Sequence, residues 1–255
     1  MKPRQRCWTA TSLAMLVAVA SGCGSSTTTV NKPTHVEPVP APAPAISPQT
    51  AESMQFDRAC SKGEVIACFN LGTFYAQGKG VATDLAKAAA LFERACTGGV
   101  MPGCSNLGVL YGQGNGVAKD TSKGAALLEQ ACAGGDVEGC LRLGLWLQHG
   151  SGTSQASDDD LTKAAMAYQV TCSAGEVRGC TYLGVLYEQG KGVFVQDAAI
   201  AAKLYQQACT GDDMMGCVHL GALYEQGIGV AKDLAKAAAL TRQACAGGLT
   251  EACQP

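Results

Sequence analysis

Aromatic residues, histidine and surplus charge are all scarce in this sequence. Phe, Trp and Tyr make up 5% of the 255 residues although 47% are hydrophobic, so a core must be built mainly from Ala, Leu, Val and Cys. The three histidines, His35, His149 and His219, are too widely spaced in sequence to indicate a zinc site. The formal net charge of −2 provides no bulk positive field for nucleic acid or anionic lipid. We therefore expect no nucleic-acid partner, no metal and no cofactor.

The N-terminal segment lacks the length of a membrane-spanning helix. Its apolar run from Leu13 to Ala20 follows a basic start and precedes small residues, which is typical of an export signal. The segment contains two alternative sites for cleavage by a signal peptidase. The A-x-A sequence ending at Ala20 fits ordinary cleavage, whereas "ASGC" resembles a lipobox in which Cys23 would be lipidated. Ala20 stands where a lipobox usually has Leu. Residues 1–22 are assigned to the signal peptide.

Residues 23–50 are rich in Ser, Thr, Pro and Ala and include "VEPVPAPAPAISP". This composition cannot form a core and predicts a disordered tether with polyproline II character, which follows the lipidation site. At roughly 3.1 Å per residue, the tether would reach on the order of 80 Å. A domain held by it would search a wide volume around its anchor.

Cysteine, by contrast, is abundant, with 14 residues in the chain. Twelve of them form six pairs whose members are separated by seven mostly small or polar residues, as in "ACTGGVMPGC". The pairs are Cys60 and Cys68, Cys96 and Cys104, Cys132 and Cys140, Cys172 and Cys180, Cys209 and Cys217, and Cys245 and Cys253. The second members recur every 36 to 40 residues, which is typical of stacked structural repeats.

The segments between the pairs define five repeat units. They are unit 1 (68–96), unit 2 (104–132), unit 3 (140–172), unit 4 (180–209) and unit 5 (217–245). Each unit predicts two helices. In unit 1, Leu71 and Tyr75 lie on one face of the first helix, "QGKG" ends it, and Asp84 caps a second, Ala-rich helix. Residues 51–255 are therefore predicted to form five full repeats plus partial terminal units.

A glycine also occurs in the middle of every predicted first helix. These residues are Gly72, Gly108, Gly144, Gly184 and Gly221. Each costs about 1 kcal/mol of helix stability relative to Ala. The repetition of this cost favours close packing of the two helices as its reason.

The paired cysteines predict six local disulfides. One member of each pair ends a second helix and the other begins the next first helix, and a tight turn brings two such helix ends within bonding reach. An even number of cysteines in an exported chain also fits an oxidised framework. Zinc is the alternative, but zinc pairs usually have closer spacing and need further ligands. The C-x-x-C spacing of redox catalysts is absent from the sequence.

The units share the pattern "LG--Y--G-GV--D--KA------AC", which resembles Sel-one-like repeats, a variant of the tetratricopeptide repeat. With their cysteine pairs they are similar to the Helicobacter cysteine-rich protein family, and the similarity extends over residues 51–255. It implies an all-α fold, an α/α solenoid in which disulfide-linked helix hairpins form a right-handed superhelix. Unit 3 has Leu147 in place of Tyr and unit 4 lacks the D--K pair, so both depart from the pattern.

Members of that family are often labelled β-lactamases, yet the sequence lacks residues for this chemistry. Serine β-lactamases use a nucleophilic Ser with a Lys three positions later, together with S-D-N and K-T-G elements. None of these motifs occurs in the chain. We expect no catalytic residue and no β-lactam hydrolysis, because a Ser hydroxyl needs an adjacent base to act as a nucleophile.

Three functions remain open from the sequence. The leading hypothesis is a non-catalytic scaffold of the cell envelope that binds a protein or peptide partner through its concave helix face. The first alternative is a weak β-lactamase or penicillin-binding hydrolase, as the family label implies. The second is non-catalytic binding of peptidoglycan.

Partner-binding residues are expected on the first helices, at offsets of two and nine residues from the first cysteine of each unit. They are Asn70 and Gln77, Asn106 and Gln113, Arg142 and His149, Tyr182 and Gln189, and His219 and Gln226. The residues at an offset of five, including Val109 and Leu145, fall on the same face. Residue identity at the first of these offsets changes from unit to unit, as a recognition position would. Solvated helix positions are the competing interpretation.

The N-terminal segment predicts an outer-membrane lipoprotein facing the periplasm, or an otherwise secreted protein. If the lipobox is used, mass spectrometry of the mature protein will find an N terminus at lipidated Cys23. Gly24 follows it, and a residue other than Asp there resembles the sorting pattern of outer-membrane lipoproteins. A lipid-free species beginning at Ser21 would show instead that the A-x-A site is cleaved.

Overall fold

A computed structural model of the chain describes residues 47–149, 156–193 and 195–253. These residues form eleven α-helices and one short 3-10 helix, and contain no strand. The helices are α1 (Pro48–Ser61), α2 (Val65–Gln77), α3 (Leu85–Thr97), α4 (Met101–Gln113), α5 (Thr121–Ala133), α6 (Val137–Gln148), α7 (Asp158–Ser173), α8 (Val177–Gln189), α9 (Ala198–Thr210), α10 (Met214–Gln226) and α11 (Leu234–Ala246), followed by the 3-10 helix Thr250–Cys253. The predicted signal segment, Cys23 and nearly all of the predicted tether lie outside the described residues.

Each repeat unit contributes one helix pair, so the predicted all-α solenoid of helix hairpins is confirmed. The first helix of a unit is called the A helix and the second the B helix. The A helices are α2, α4, α6, α8 and α10, and the B helices are α3, α5, α7, α9 and α11. The additional helix α1 packs on α2 and begins at Pro48, before the boundary predicted at residue 51. No helix in the described ranges is long and apolar enough to cross a bilayer.

Short polar residues and glycines set the ends of these helices. The Asp84 carboxylate accepts a hydrogen bond from the backbone N–H of Lys87 at 3.0 Å, which caps α3. This bond lowers the pKa of Asp84 below its ordinary value, so the cap is ionised at neutral pH. In unit 3, Ser157 and Asp160 form a reciprocal capping box at the start of α7. The A helix α2 ends at Gly78, whose left-handed backbone stops it.

Successive units stack because each A helix packs against its own B helix and against the preceding B helix. The second glycine of the "GxG" turn marks one point of this stacking. Gly116 has a φ of +74°, and a Cβ there would lie 2.3 Å from the backbone carbonyl carbon of Leu85 in the preceding unit. Only glycine fits both the dihedral angle and the close approach. Gly229 meets the backbone of Ala198 in the same way.

The structure brings all six predicted cysteine pairs to bonding distance, with Cα–Cα separations from 4.4 to 4.8 Å. Four bridges join a B helix to the next A helix, one joins α1 to α2, and the last joins α11 to the 3-10 helix. Each bridge closes a small loop and so lowers the conformational entropy of the unfolded chain. The folded state is stabilised by about 2.5 kcal/mol per bridge as a result. The covalent links therefore fall between units, where a solenoid otherwise depends on packing alone.

The mid-helix glycines allow the A and B helices of one unit to approach closely. A Cβ on Gly144 would lie 2.4 Å from the Tyr168 ring, and one on Gly184 would lie 2.6 Å from the Tyr205 ring. Both tyrosine side chains are fully buried. The packing interpretation is therefore correct for these units. Unit 5 differs, because Thr241 occupies the position of the buried tyrosine. A Cβ on Gly221 would have the Ala237 carbonyl oxygen, at 3.4 Å, as its nearest neighbour.

The tyrosine and lysine of the repeat pattern contact each other inside a hairpin. The pairs are Lys87 and Tyr75, Lys123 and Tyr111, and Lys236 and Tyr224, with 5.2, 4.0 and 5.1 Å between ammonium nitrogen and ring centre. These are cation–π distances. The two units that depart from the sequence pattern lack one partner, since unit 3 has Leu147 for Tyr and unit 4 has Ile200 for Lys.

A matched pair of substitutions tests the close packing. We expect Gly184→Ala to lower the free energy of unfolding by about 1 to 3 kcal/mol, because the added methyl overpacks the buried Tyr205 ring. Gly221→Ala meets ordinary contacts, so its better helix propensity should raise stability by up to about 1 kcal/mol. Chemical denaturation of the oxidised proteins, followed by far-UV circular dichroism, measures both. Shifts of the same sign in the two variants would contradict this account.

A second substitution tests the Lys–Tyr contact. Ile200→Lys should place an ammonium over Tyr187 and stabilise unit 4 by about 0.5 to 1 kcal/mol. The same change made together with Tyr187→Leu provides the control, because the gain should then disappear. Equal effects of Ile200→Lys with and without Tyr187 would attribute the gain to removal of an exposed apolar side chain instead.

Candidate functional site

Nine of the ten predicted binding positions lie on A helices and His149 directly follows α6; the surface that they occupy is called here the A-helix face. At the offset of two residues, Asn70, Asn106, Arg142, Tyr182 and His219 are half-buried. At the offset of nine residues, Gln77, Gln113, His149, Gln189 and Gln226 are exposed. Helix α4 contacts α6 and α8 contacts α10, so A helices of neighbouring units lie side by side. Positions from two units can therefore form one surface.

A groove of about 440 Å³ lies where the A helices of units 2 and 3 adjoin, and is called the unit 2–3 groove. Its wall includes Val109, Gln113, Arg142, Leu145, Trp146 and His149. Five of these six, all except Trp146, lie at the offsets of two, five or nine residues that the sequence predicts for binding positions. The regular spacing of the repeats thus brings the predicted positions of two units into one concave site.

Arg142 is held in a defined orientation in this groove. Its Nε donates to Glu138 Oε1 and its Nη1 donates to Asn106 Oδ1, both at 3.0 Å. Asn106 occupies the same offset in the preceding unit, so two predicted binding residues contact each other directly. Glu138 also accepts a hydrogen bond from Arg178 at 3.1 Å. The result is a polar network across units 2, 3 and 4.

Trp146 forms the apolar wall of the same groove. Its ring occupies the space above Gly112, where a Cβ would lie only 2.1 Å from the Cη2 atom. The indole Nε1 is buried and has no hydrogen-bond acceptor among the described residues. The Trp146 side chain is half-buried, since it packs against the apolar core and also lines the groove. Gly112 is the signal that sequence reasoning missed, since the other units have larger side chains there.

A second groove, of about 580 Å³, lies between units 3 and 4. Gln148 and His149 line it from one unit, and Gln189 and Lys191 from the next. It therefore brings the predicted residues His149 and Gln189 together, and His149 belongs to both grooves. The imidazole Nδ1 of His149 lies 2.6 Å from the carbonyl oxygen of Leu145, a bond that ties the ring to its own helix.

Two other predicted residues contribute to packing. Tyr182 stacks on Tyr168 with ring centres 5.2 Å apart, and His219 stacks on Tyr205 at 4.9 Å. Burial raises the pKa of both Tyr168 and Tyr205 well above the ordinary value, so their hydroxyls stay protonated. The Tyr205 hydroxyl donates to Glu188 at 2.6 Å. One ring face of His219 is thus covered at the junction between units 4 and 5.

The remaining predicted residues are not gathered into either groove. Asn70, Gln77 and Gln226 lie on the A helices of units 1 and 5, and none of them lines the two cavities. Four of the ten predicted positions, Gln113, Arg142, His149 and Gln189, therefore line the two grooves on either side of unit 3.

Two buried hydroxyl groups on the A helices form hydrogen bonds between neighbouring units. The buried Ser105 hydroxyl donates to Asp136, and Thr181 donates to Asp213 at 2.6 Å, so each bond ties one A helix to the start of the next. Neither hydroxyl is accessible as a nucleophile. Among the described residues, no group of three or more His, Cys, Asp and Glu side chains is placed to hold a metal ion.

The repeat units agree with a known family. The model of the Sel1 repeat matches residues 65–100, 102–136, 137–168, 177–213 and 215–249, which together make up more than half of the chain. The chain belongs to the Sel1 repeat family. Each matched segment begins in or next to an A helix. Proteins built from Sel1 repeats are protein-interaction scaffolds.

Solved structures of Sel1 repeat proteins resemble this chain. The protective antigen c5321 of uropathogenic Escherichia coli, which displays an SLR fold, is 31% identical with a TM-score of 0.70, and the match covers 77% of this chain and 41% of that chain. A Sel1 repeat protein from Oxalobacter formigenes is 21% identical over 78% of this chain and 81% of that chain, with a TM-score of 0.70.

Cysteine rich protein B of Helicobacter pylori is also similar, with 32% identity over 53% of this chain and 93% of that chain and a TM-score of 0.41. The match to c5321 covers less than half of the c5321 chain. Comparison with curated protein sequences gave no match.

Proposed function

We propose that this Sel1 repeat protein is a scaffold of the cell envelope that binds a protein or peptide partner along its A-helix face. The observation that carries the proposal is the unit 2–3 groove, in which equivalent positions of consecutive units line one cavity of about 440 Å³. A groove formed between stacked repeats suits an extended segment, because each unit can contact a further part of it. The use of Sel1 repeats as protein-interaction scaffolds supports this assignment.

The rigidity of the array also supports a binding role. The disulfides on both sides of unit 3, Cys132–Cys140 and Cys172–Cys180, join it to its neighbours. The Arg142–Asn106 hydrogen bond and the Glu138–Arg178 ion pair add polar contacts across the same two junctions. A groove held in shape before binding costs less conformational entropy when the partner docks.

The envelope location rests on the cysteines and the N terminus. Six disulfides indicate an oxidising, extracytoplasmic compartment. The proposal adds that lipidated Cys23 anchors the chain in the outer membrane and that residues 23–50 tether the repeats within the periplasm. Such a tether would let a rigid scaffold reach partners at a distance from its anchor.

Site-specific photo-crosslinking tests which face binds. A photoreactive residue at Gln113 or Gln189, on the A-helix face, should crosslink the same partner in envelope preparations. Positions Met166 and Val170 on α7 are the matched controls, because their side chains are 59% and 50% exposed but belong to a B helix. Mass spectrometry of the adducts identifies what is captured.

The proposal predicts one shared partner at both A-helix positions and little product at the two B-helix positions. Equal yields from the two sets of positions, or different proteins at Gln113 and Gln189, would contradict a partner-binding A-helix face.

A further inference from the structure

We infer that the unit 2–3 groove recognises a carboxylate group on the bound peptide. This inference rests on the proposed function, since it names the chemistry that the scaffold selects. The carboxylate would lie between Arg142 and Lys119, and the apolar part of the same residue would pack against Trp146.

The charge of the groove wall is the first observation. Arg142 and Lys119 both line it, and no Asp or Glu is among its lining residues in the described part of the chain. Lys119 is exposed and forms no ion pair among the described residues. The unit 3–4 groove differs, because Asp158 accompanies Lys191 in its wall. Only the former groove therefore presents a cationic surface to a ligand.

The geometry of Arg142 is the second observation. A guanidinium carries five N–H donors in a planar fork. The bonds to Glu138 and Asn106 use the Nε and one Nη1 donor and hold the plane of the fork in place. The Arg142 side chain is 32% exposed, so donors remain within reach of a ligand. Glu138 also pairs with Arg178, so its charge is divided between two guanidinium groups. It therefore competes less strongly with a ligand carboxylate for Arg142.

The apolar residues beside these cations complete the site. Val109, Leu145 and Trp146 line the groove together with Arg142 and Lys119. An acidic peptide residue has methylene groups next to its carboxylate, so it can use both parts of the wall. A charge-assisted hydrogen bond is roughly twice as strong as a neutral one, and a partly enclosed site screens it less than open solvent does.

Selection from random peptides tests the inference on the full-length oxidised protein. One library of short N-acetylated peptides ends in a C-terminal amide, and a second, otherwise identical library ends in a free carboxylate. Peptides retained by the protein are identified by mass spectrometry. The proteins compared are the wild type, Arg142→Gln, Lys119→Gln and Lys203→Gln. Lys203 lies exposed on α9, away from the groove, and is the control for loss of one positive charge.

Asp- and Glu-containing peptides should be enriched from the amide library by the wild type. Arg142→Gln should reduce this enrichment by about tenfold or more, which corresponds to the loss of one charge-assisted interaction. Lys119→Gln should reduce it to a smaller extent, and Lys203→Gln should leave it unchanged. Because Lys119 makes no ion pair among the described residues, its variant tests the site without disturbing the network around Glu138. Enrichment confined to the free-carboxylate library, with the same dependence on Arg142, would assign the site to the C-terminal carboxylate of the peptide.

Two outcomes would overturn the inference alone. In the first, wild type and Arg142→Gln retain the same peptides without a preference for acidic residues, which leaves the scaffold proposal intact. In the second, Lys203→Gln lowers the enrichment as much as Arg142→Gln, which would attribute it to overall charge. Retention of no peptide by any of the proteins would contradict the proposed function together with the inference.

Discussion

The covalent link between one unit and the next is the constraint on which the rest of the structure depends. Each bridge joins the end of one helix to the following helix, and the Cα atoms of its two cysteines are less than 5 Å apart. The turn glycines impose a second contact across the same junction, as Gly116 does against Leu85. Two separate contacts of this kind limit how far a unit can rotate relative to its neighbour. The grooves between A helices owe their shape to this limit.

Within a unit, the small residues of the helices decide how much apolar surface is buried. Alanines and mid-helix glycines let two helices approach until one ring, such as Tyr168 or Tyr205, fills the space between them. One buried aromatic ring therefore fills the space between the two helices of a unit. This explains how a core forms in a chain with 5% aromatic residues. The hydroxyl of such a ring still needs a partner, and Gln148 and Glu188 provide one.

Much of this architecture can be predicted from the sequence, because cysteines, glycines and Asp caps mark helix ends and these marks recur at one period. The six bridges follow from the same regularity. Contacts between side chains of different helices are harder to predict. The fit of Trp146 over Gly112, and the bond from Arg142 to Asn106, depend on the angle between units, which no local pattern encodes. For the same reason, the offsets identified the A-helix positions but did not distinguish the packed Tyr182 and His219 from the groove residues Gln113 and Arg142.

The order of the bridges along the chain has a consequence for biogenesis. In every bridge the two partners are consecutive cysteines of the chain, so no native bond encloses another. In a chain that emerges from a translocation channel N terminus first, each cysteine would meet its native partner before any later one became available. For these twelve cysteines, oxidation in the order of emergence would give the native pairing. Each hairpin could also be fastened to the finished part of the array as soon as it emerged, so assembly could keep pace with export.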